Sequence, residues 1–359
     1  MAENTAWQLG EARLATYLAA RIPGFTGPVR ATKFSTGQSN PTFLLETPAR
    51  KYVLRMKPPG NLLKSAHAVE REYRVMQALA GTGVPVPQML VLCEDIAVAG
   101  SVFYVMAHVE GRIFWDPALP GLSNAERAAI YESMNAALAA LHSVDPAQAG
   151  LTGFGRPGNY FARQIARWSD QYRASETGAD DNINRLIDWL PAHMPPDDGA
   201  SAIVHGDWRI DNFIFATEGP EMLAVLDWEL STLGHPLADL AYQCMQWRLP
   251  HAGDFRGLAG IDRAALGLPG EAEYVERYCR ARGLAGIKHW DFYLAFSFFR
   301  LAAILQGVKK RALDGNASNP EKGLKMGAAV PLLGQMAMQL VEAGSNTPAW
   351  ANARHALYT

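Results

Sequence analysis

Asp207, Asn212 and Asp227 are the residues whose types and spacing could do the most demanding chemistry in this chain. Two carboxylates and a carboxamide can supply hard oxygen ligands for Mg²⁺ and a base for an attacking hydroxyl, the set on which phosphoryl transfer depends. Asp207 follows His205 and Gly206 at the end of an apolar run, and Asn212 comes five residues later. Residues 213–216 and 223–226 read as two strands joined by the turn-rich stretch 217–221. Such a hairpin carries the chain out and back by similar lengths, at about 3.3 Å per residue, so Asp227 is expected to return beside Asn212. Asp207 is then placed as the base, with Asn212 and Asp227 as metal ligands. His-Gly-Asp alone reads equally well as a polar turn; the spaced Asn, the two apolar runs and the second Asp are what mark a site.

The elements that must position these groups follow from periodicity. Residues 29–34, 42–47 and 51–57 read as strands, and the small, glycine-bearing stretch 35–41 joins the first two. Ser35 and Gly37 there would let backbone N–H groups approach phosphate oxygens, although an ordinary hairpin turn has the same composition. Alternation places Lys51, Val53, Arg55 and Lys57 on one strand face. Arg55 could grip phosphate bidentately, with Lys57 as the fallback and a solvated basic edge as the plain alternative. Residues 66–79 form an amphipathic helix with Val69, Tyr73, Met76 and Leu79 on one stripe, and residues 88–94 and 102–106 return to strand. Residues 9–20 read as a helix ahead of the first strand. From Ser123, whose pairing with Glu126 is a capping pattern, the texture is helical: 128–142, 160–172, 182–190, then 274–282, 290–311 and 326–343.

With 359 residues the chain has room for two lobes. Its apolar and charged content is that of an ordinary globular protein, and a net charge of −2 gives no electrostatic handle for nucleic acid or an anionic membrane. Cys93, Cys244 and Cys279 lie too far apart for a zinc or disulfide framework, which fits buried free thiols and a cytoplasmic setting. The first residues lack a basic head and apolar signal core, and no run reads as the roughly 20 apolar residues of a spanning helix.

The pattern His-x-Asp, four residues, Asn, apolar strand and Asp resembles the aminoglycoside phosphotransferase and choline-kinase-like branch of the protein kinase superfamily, with His-Gly-Asp in place of His-Arg-Asp. The resemblance implies an α+β, bilobal protein-kinase-like fold. Residues 1–107 would be an N-lobe with an antiparallel sheet plus helix, the hinge would lie near 106–110, and residues 108–359 would be a mainly helical C-lobe. It implies ATP and Mg as cofactors, Asp207 as catalytic base, and Asn212 and Asp227 on the metal. Ser35 and Gly37 would cover the phosphates. Arg55 would stand where the family has a strand lysine, and Glu72, with Glu70 as competitor, would be its helix partner. Adenine would meet backbone from Ala107 to Val109, with Met106 as gate, while His205 and Asp239 would brace the loop. Asp227-Trp228-Glu229 departs from Asp-Phe-Gly by lacking the glycine.

Only Trp228 to Pro236 separates Asp227 from the next helix, too little for a protein-substrate landing segment, so the expected partner is a small-molecule hydroxyl acceptor. The resemblance implies Tyr160, Arg163, Arg167, Trp228, Arg300 and Arg311 as the candidates to line its site. Tyr-Val-Leu-Arg, Glu-Arg-Glu-Tyr-Arg-Val, Leu-Asp-Trp-Glu-Leu-Ser-Thr-Leu-Gly, Phe-Phe-Arg-Leu-Ala-Ala-Ile-Leu-Gln-Gly and Asp-Gly-Asn-Ala-Ser resemble, more narrowly, the kinase-like domain found in front of acyl-CoA dehydrogenase modules. That similarity implies a hydroxyacyl-CoA or hydroxy acid acceptor, and the two lobes leave no space within these residues for a dehydrogenase module. Two alternatives stay open: a nucleotide-binding pseudokinase or scaffold, given Arg55 and the missing glycine, and a metal-dependent hydrolase built from His205, Asp207, Asp227, His235 and Asp239.

Overall fold

The computed structural model describes residues 9–34, 40–58, 68–251, 255–317 and 319–343. The chain divides into two compact units. The smaller takes the chain up to Arg112 together with Phe213–Thr217 and Leu223–Ser231, and the larger takes the remainder. The apolar hairpin therefore groups with the smaller unit. Residues 108–112 also belong there, since Arg112 exchanges backbone hydrogen bonds with Phe215.

In the smaller unit, Glu11–Ala19 (α1) precedes Arg30–Lys33 (β1), Thr42–Glu46 (β2) and Lys51–Met56 (β3). Val69–Leu79 (α2), Met89–Cys93 (β4), Ile96–Ala99 (α3) and Phe103–Ala107 (β5) follow. The five strands form one antiparallel sheet in the order β1-β2-β3-β5-β4. Alternation gives the sheet two faces. Leu45, Tyr52, Leu54, Met56, Phe103 and Val105 pack with Leu14 and Leu18 of α1 in the core of this unit. In β3 and β5, Val53, Arg55, Tyr104 and Met106 occupy the alternate positions, and the register pairs Val53 with Met106 and Arg55 with Tyr104. Gly111 has no space for a side chain, because a Cβ there would come within 2.2 Å of the Phe215 carbonyl oxygen.

The larger unit begins its helices with Asn124–Ser143 (α4), Tyr160–Ser175 (α5) and Asp181–Ala192 (α6). Ser123 and Glu126 form the reciprocal capping box at the start of α4. Ala202–Val204 (β6) pairs antiparallel with a strand that comes after the hairpin, and the hairpin strands are Phe213–Phe215 (β7) and Met222–Val225 (β8). The partner of β6 is Thr232–Gly234 (β9), then Leu237–Met245 (α7), Glu271–Ala281 (α8), Trp290–Leu313 (α9), Pro320–Gly327 (α10) and Val330–Glu342 (α11) complete the unit. Apolar periodicity found most of these, but it missed β9, whose three residues make sense only opposite β6.

One sequence expectation needs correcting. Helix α9 is long and apolar enough to cross a membrane by length and composition, with a mean hydropathy of 1.3 over its best window. That window is 78% buried inside the protein, and α9 packs against α5, α7, α10 and α11, which is how a central core helix behaves.

Candidate active site

The loop carrying Asp207 is shaped by its neighbours in sequence and by one buried acid. Gly206 adopts φ +86°, a left-handed conformation that glycine reaches without strain. The Asp239 carboxylate, fully buried at the start of α7, accepts from the backbone N–H groups of His205 (2.6 Å) and Gly206 (2.8 Å). Burial alone would raise the Asp239 carboxyl, but His142, 3.3 Å away, and the loop donors outweigh it and hold the acid below its usual range. His142 in turn meets the Tyr278 hydroxyl at 2.7 Å, and burial depresses its pKa, which favours the neutral ring. Asp239→Asn would point an amide N–H at the two backbone donors and leave at least one buried donor unpaired. The expected cost is about 1–3 kcal/mol of stability, read as a lower denaturation midpoint at unchanged slope.

Asp207 lies at the edge of this clamp with its side chain 24% exposed. Asn212 donates through Nδ2 to both the Asp207 carbonyl (2.8 Å) and a carboxylate oxygen (3.0 Å). Tyr242, from α7, also hydrogen-bonds this carboxylate. Burial works to raise the Asp207 carboxyl, yet Arg209 at 3.8 Å, His205, Asn212 and Tyr242 together bring it below the ordinary value. The carboxylate is thus ionised at neutral pH, as a hydrogen-bond acceptor for a hydroxyl must be. The Asn212 amide oxygen accepts no hydrogen bond from the described residues and is left for another donor or a cation.

In the smaller unit the chemistry gathers around Arg55. Its guanidinium meets Glu72 at 3.1 Å, Asp227 at 2.8 Å and Glu229 at 3.6 Å. Lys57, just past β3, instead pairs with Glu70 at 2.8 Å, so it and Arg55 take different partners on α2. Three carboxyl groups around one guanidinium make this an acidic cluster. Asp227 itself adopts φ 62°, ψ 60°, a left-handed conformation that aspartate tolerates better than most residues and that marks functional positions.

Glu72 is 1% exposed and is held by Asn40 Nδ2 (2.9 Å) and the Tyr104 hydroxyl (3.2 Å). Burial pushes its carboxyl up to about 7, Arg55 pulls the other way, and Asp227 and Glu229 add to the rise. The folded protein therefore keeps this proton at pH values where the unfolded chain, with a glutamate pKa of about 4.3, has released it. Stability from this group is complete below about pH 4.3 and is lost as the pH rises to about 7. Thermal melts across that window should show the wild type losing Tm relative to Glu72→Gln, which cannot titrate.

The remaining expected residues fall in different places. Ser35 and Gly37 lie outside the described residues. Met106 shares its sheet face with Val53, and the Ala107 N–H donates to the Gln88 carbonyl at 2.9 Å. Four residues expected to line an acceptor make contacts within the protein. Trp228 is buried and donates to the Val225 carbonyl at 2.9 Å. Arg300, also buried, donates to the Gly206 carbonyl and sits over the Trp168 and Tyr242 rings, so it supports the catalytic loop from below. Tyr160 packs its ring against Gly234, where a Cβ would come within 2.5 Å, and Arg163 is committed to the carbonyls of Arg156, Pro157 and Gly158.

Sequence reasoning missed Asn40, Tyr104, His142, Arg209 and Tyr242. Of these, only Arg209 carried a sequence signal, as the lone cation inside the Asp207-to-Asn212 interval. The hydrolase cluster does not form: among the described residues no three His, Cys, Asp or Glu side chains are placed to hold a metal. Asp239 is spent on the loop, and His235 faces Asp198 at 3.3 Å.

Comparison with known proteins agrees with this chemistry. Residues 30–293 match the model of the phosphotransferase enzyme family, APH. Acyl-CoA dehydrogenase family member 10 of Mus musculus is 51% identical over 295 residues, covering 82% of this chain and 28% of that protein. Member 11 of Rattus norvegicus is 42% identical, covering 96% of this chain and 45% of its own length. The chain thus spans less than half of each of these two relatives. A crystal structure from Ralstonia eutropha, assigned provisionally as an aminoglycoside phosphotransferase, superposes with a TM-score of 0.86 at 49% identity, covering 94% of this chain and 99% of that one. The aminoglycoside phosphotransferase APH(4)-Ia, solved with AMP-PNP and hygromycin B, shares the fold at a TM-score of 0.60 and 19% identity, over 93% of this chain and 99% of its own. With the protein-kinase-like architecture, the clamped His-Gly-Asp loop and a family match over most of its length, the chain belongs to the phosphotransferase enzyme family.

Proposed function

We propose that this phosphotransferase moves the γ-phosphoryl group of Mg·ATP to a hydroxyl of a small molecule, with a hydroxyacyl thioester or hydroxy acid as the acceptor class. The observation that carries the reading is the Asp207–Asn212 pair: one amide nitrogen locks the carboxylate in place while the amide oxygen stays open. Asp207 accepts the acceptor proton as the acceptor oxygen bonds to the γ-phosphorus and the bond from phosphorus to the ADP oxygen breaks, its electron pair leaving with ADP. Asn212 and Asp227 are the residues that would hold Mg²⁺, which would supply positive charge against the phosphates. Arg55, steadied by Glu72, is the candidate grip on the phosphate chain, and its guanidinium can take the bidentate role that an ammonium cannot.

Support for nucleotide use comes from the neighbours solved with AMP-PNP and with ADP, and support for an acyl acceptor comes from relatives whose names join this region to acyl-CoA dehydrogenases. The catalytically silent alternative is not favoured, because base, amide, second acid and basic strand residue are all present and mutually supported within their units. A screen of ADP formation across hydroxy acids, hydroxyacyl-CoA esters, amino alcohols and aminoglycosides tests the reading. Acceptor-dependent ADP with the acyl compounds is expected; ADP formation with aminoglycosides alone would overturn the acceptor class.

A further inference from the structure

A hollow of about 520 Å³ opens within the smaller unit, at the end of the sheet where β3 begins and β5 finishes. Tyr52 and Ala107, partners in the register, belong to its lining, and Tyr52 packs in the core that α1 shares with the sheet. Along each strand they alternate with Val53 and Met106, which take the opposite face together with Arg55. The hollow therefore lies behind the strands that carry Arg55 and Met106. Ile22 and Pro23, just past α1, and Leu90 of β4 give it an apolar side. Arg55, Asp207, Asn212 and Asp227 are not among its lining residues.

The charged rim of this hollow is not spent on the fold. Arg50, in the turn between β2 and β3, Lys51, at the start of β3, and Glu110, three residues past β5, are all exposed. Their side chains form no hydrogen bond or ion pair with any described residue. Other cations of the same unit are engaged: Arg13 by the Ala97 carbonyl, Arg21 by the Tyr17 ring, Arg55 by Glu72 and Lys57 by Glu70. Two cations enter from the start of β3 and one carboxylate from beyond the end of β5, and no ion pair closes between them. Such a gap suits a molecule that carries both signs of charge, and the apolar side suits its hydrocarbon body.

We propose that this hollow binds a small zwitterionic acid of the α-amino acid class, with its carboxylate at Arg50 and Lys51, its ammonium at Glu110 and an apolar side chain against Ile22, Pro23 and Leu90. A simple carboxylate would leave Glu110 unmatched, and a simple amine would leave the two cations unmatched. Exposed ion pairs contribute little singly, so the advantage of the zwitterion lies in making both while its body covers apolar surface. The site needs neither ATP nor acceptor and stands apart from the transfer reaction.

L-Phenylalanine, 3-phenylpropanoate and 2-phenylethylamine present similar apolar bodies and differ in their charged groups, so NMR titration of the full chain with each tests the assignment. Phenylalanine is expected to bind most tightly. Arg50→Ala with Lys51→Ala should weaken phenylalanine and 3-phenylpropanoate about three- to tenfold and spare 2-phenylethylamine. Glu110→Gln should do the reverse, weakening phenylalanine and 2-phenylethylamine and sparing 3-phenylpropanoate. A loss confined to probes whose matching charge was removed separates the site from general unfolding. Saturating AMP-PNP should leave phenylalanine bound, because the nucleotide is assigned to the opposite face of β3 and β5. Absence of binding, equal affinity for the three probes, affinities that the variants leave unchanged, or displacement by AMP-PNP would overturn the proposal. Failure to form ADP with any acceptor would overturn phosphoryl transfer and leave this site standing.

Discussion

Asp207→Asn is expected to lower turnover by about 10²–10⁴-fold while nucleotide affinity stays within about twofold. The substitution keeps the size of the side chain, so the hydrogen bonds that Asn212 and Tyr242 make to it survive in part, and the clamp on the loop backbone does not involve it. What disappears is the ionised acceptor that Arg209, His205, Asn212 and Tyr242 hold below its ordinary pKa against burial. Because the base acts on the acceptor hydroxyl and not on the nucleotide, the loss belongs in kcat and not in the binding of Mg·ATP. Steady-state ADP release, with nucleotide binding measured separately by calorimetry, checks both halves. The pH dependence has a definite sign: activity carried by an ionised Asp207 falls as the pH drops through its lowered pKa, so this group imposes no decline near neutrality.

Asp227→Asn should fail in a different way, weakening Mg·ATP by at least the roughly 10–100-fold that loss of even an outer-shell metal partner costs. Asp227 also sits 2.8 Å from Arg55 and contributes to the raised pKa of Glu72. Removing its charge relieves part of the carboxylate crowding, so the smaller unit of Asp227→Asn is expected to be no less stable than wild type even as its nucleotide site fails. Calorimetry with Mg·ATP, paired with a thermal melt, reads the two effects independently. Weaker Mg·ATP binding accompanied by a fall in Tm would mean that Asp227 serves the fold and not the metal.

The parts of this site that were legible in the sequence are those fixed by local pattern. Alternation in β3 placed Arg55 on the face opposite Leu54, and the spacing of Asp207, Asn212 and the two apolar runs anticipated the Asp207–Asn212 contact and the hairpin that follows it. The helix at 69–79 was readable from its apolar stripe, which put Glu72 within reach of Arg55. The missing parts are held together by contacts distant in sequence. Asp239, which only the family resemblance had set against the loop, meets it across 33 residues as expected, whereas His142, 97 residues from Asp239, left no periodic trace. Trp228 and Arg300 looked like lining residues because aromatic and cationic side chains suit ligands. Residue type alone does not reveal that both are buried. The left-handed backbone at Asp227 was equally hidden, since Asp-Trp-Glu contains no glycine to announce it.

The most direct test of the central claim is to incubate the protein with Mg·ATP and a hydroxy acid or its thioester and to measure ADP and the phosphate ester on the acceptor hydroxyl together. If Asp207 is the base of a small-molecule phosphotransferase, ADP and ester form in equal amounts, only when acceptor is present, and both vanish to background in Asp207→Asn while Mg·ATP still binds. Equal ester formation by wild type and Asp207→Asn, or ADP release with no ester on any hydroxylated acceptor, would contradict it.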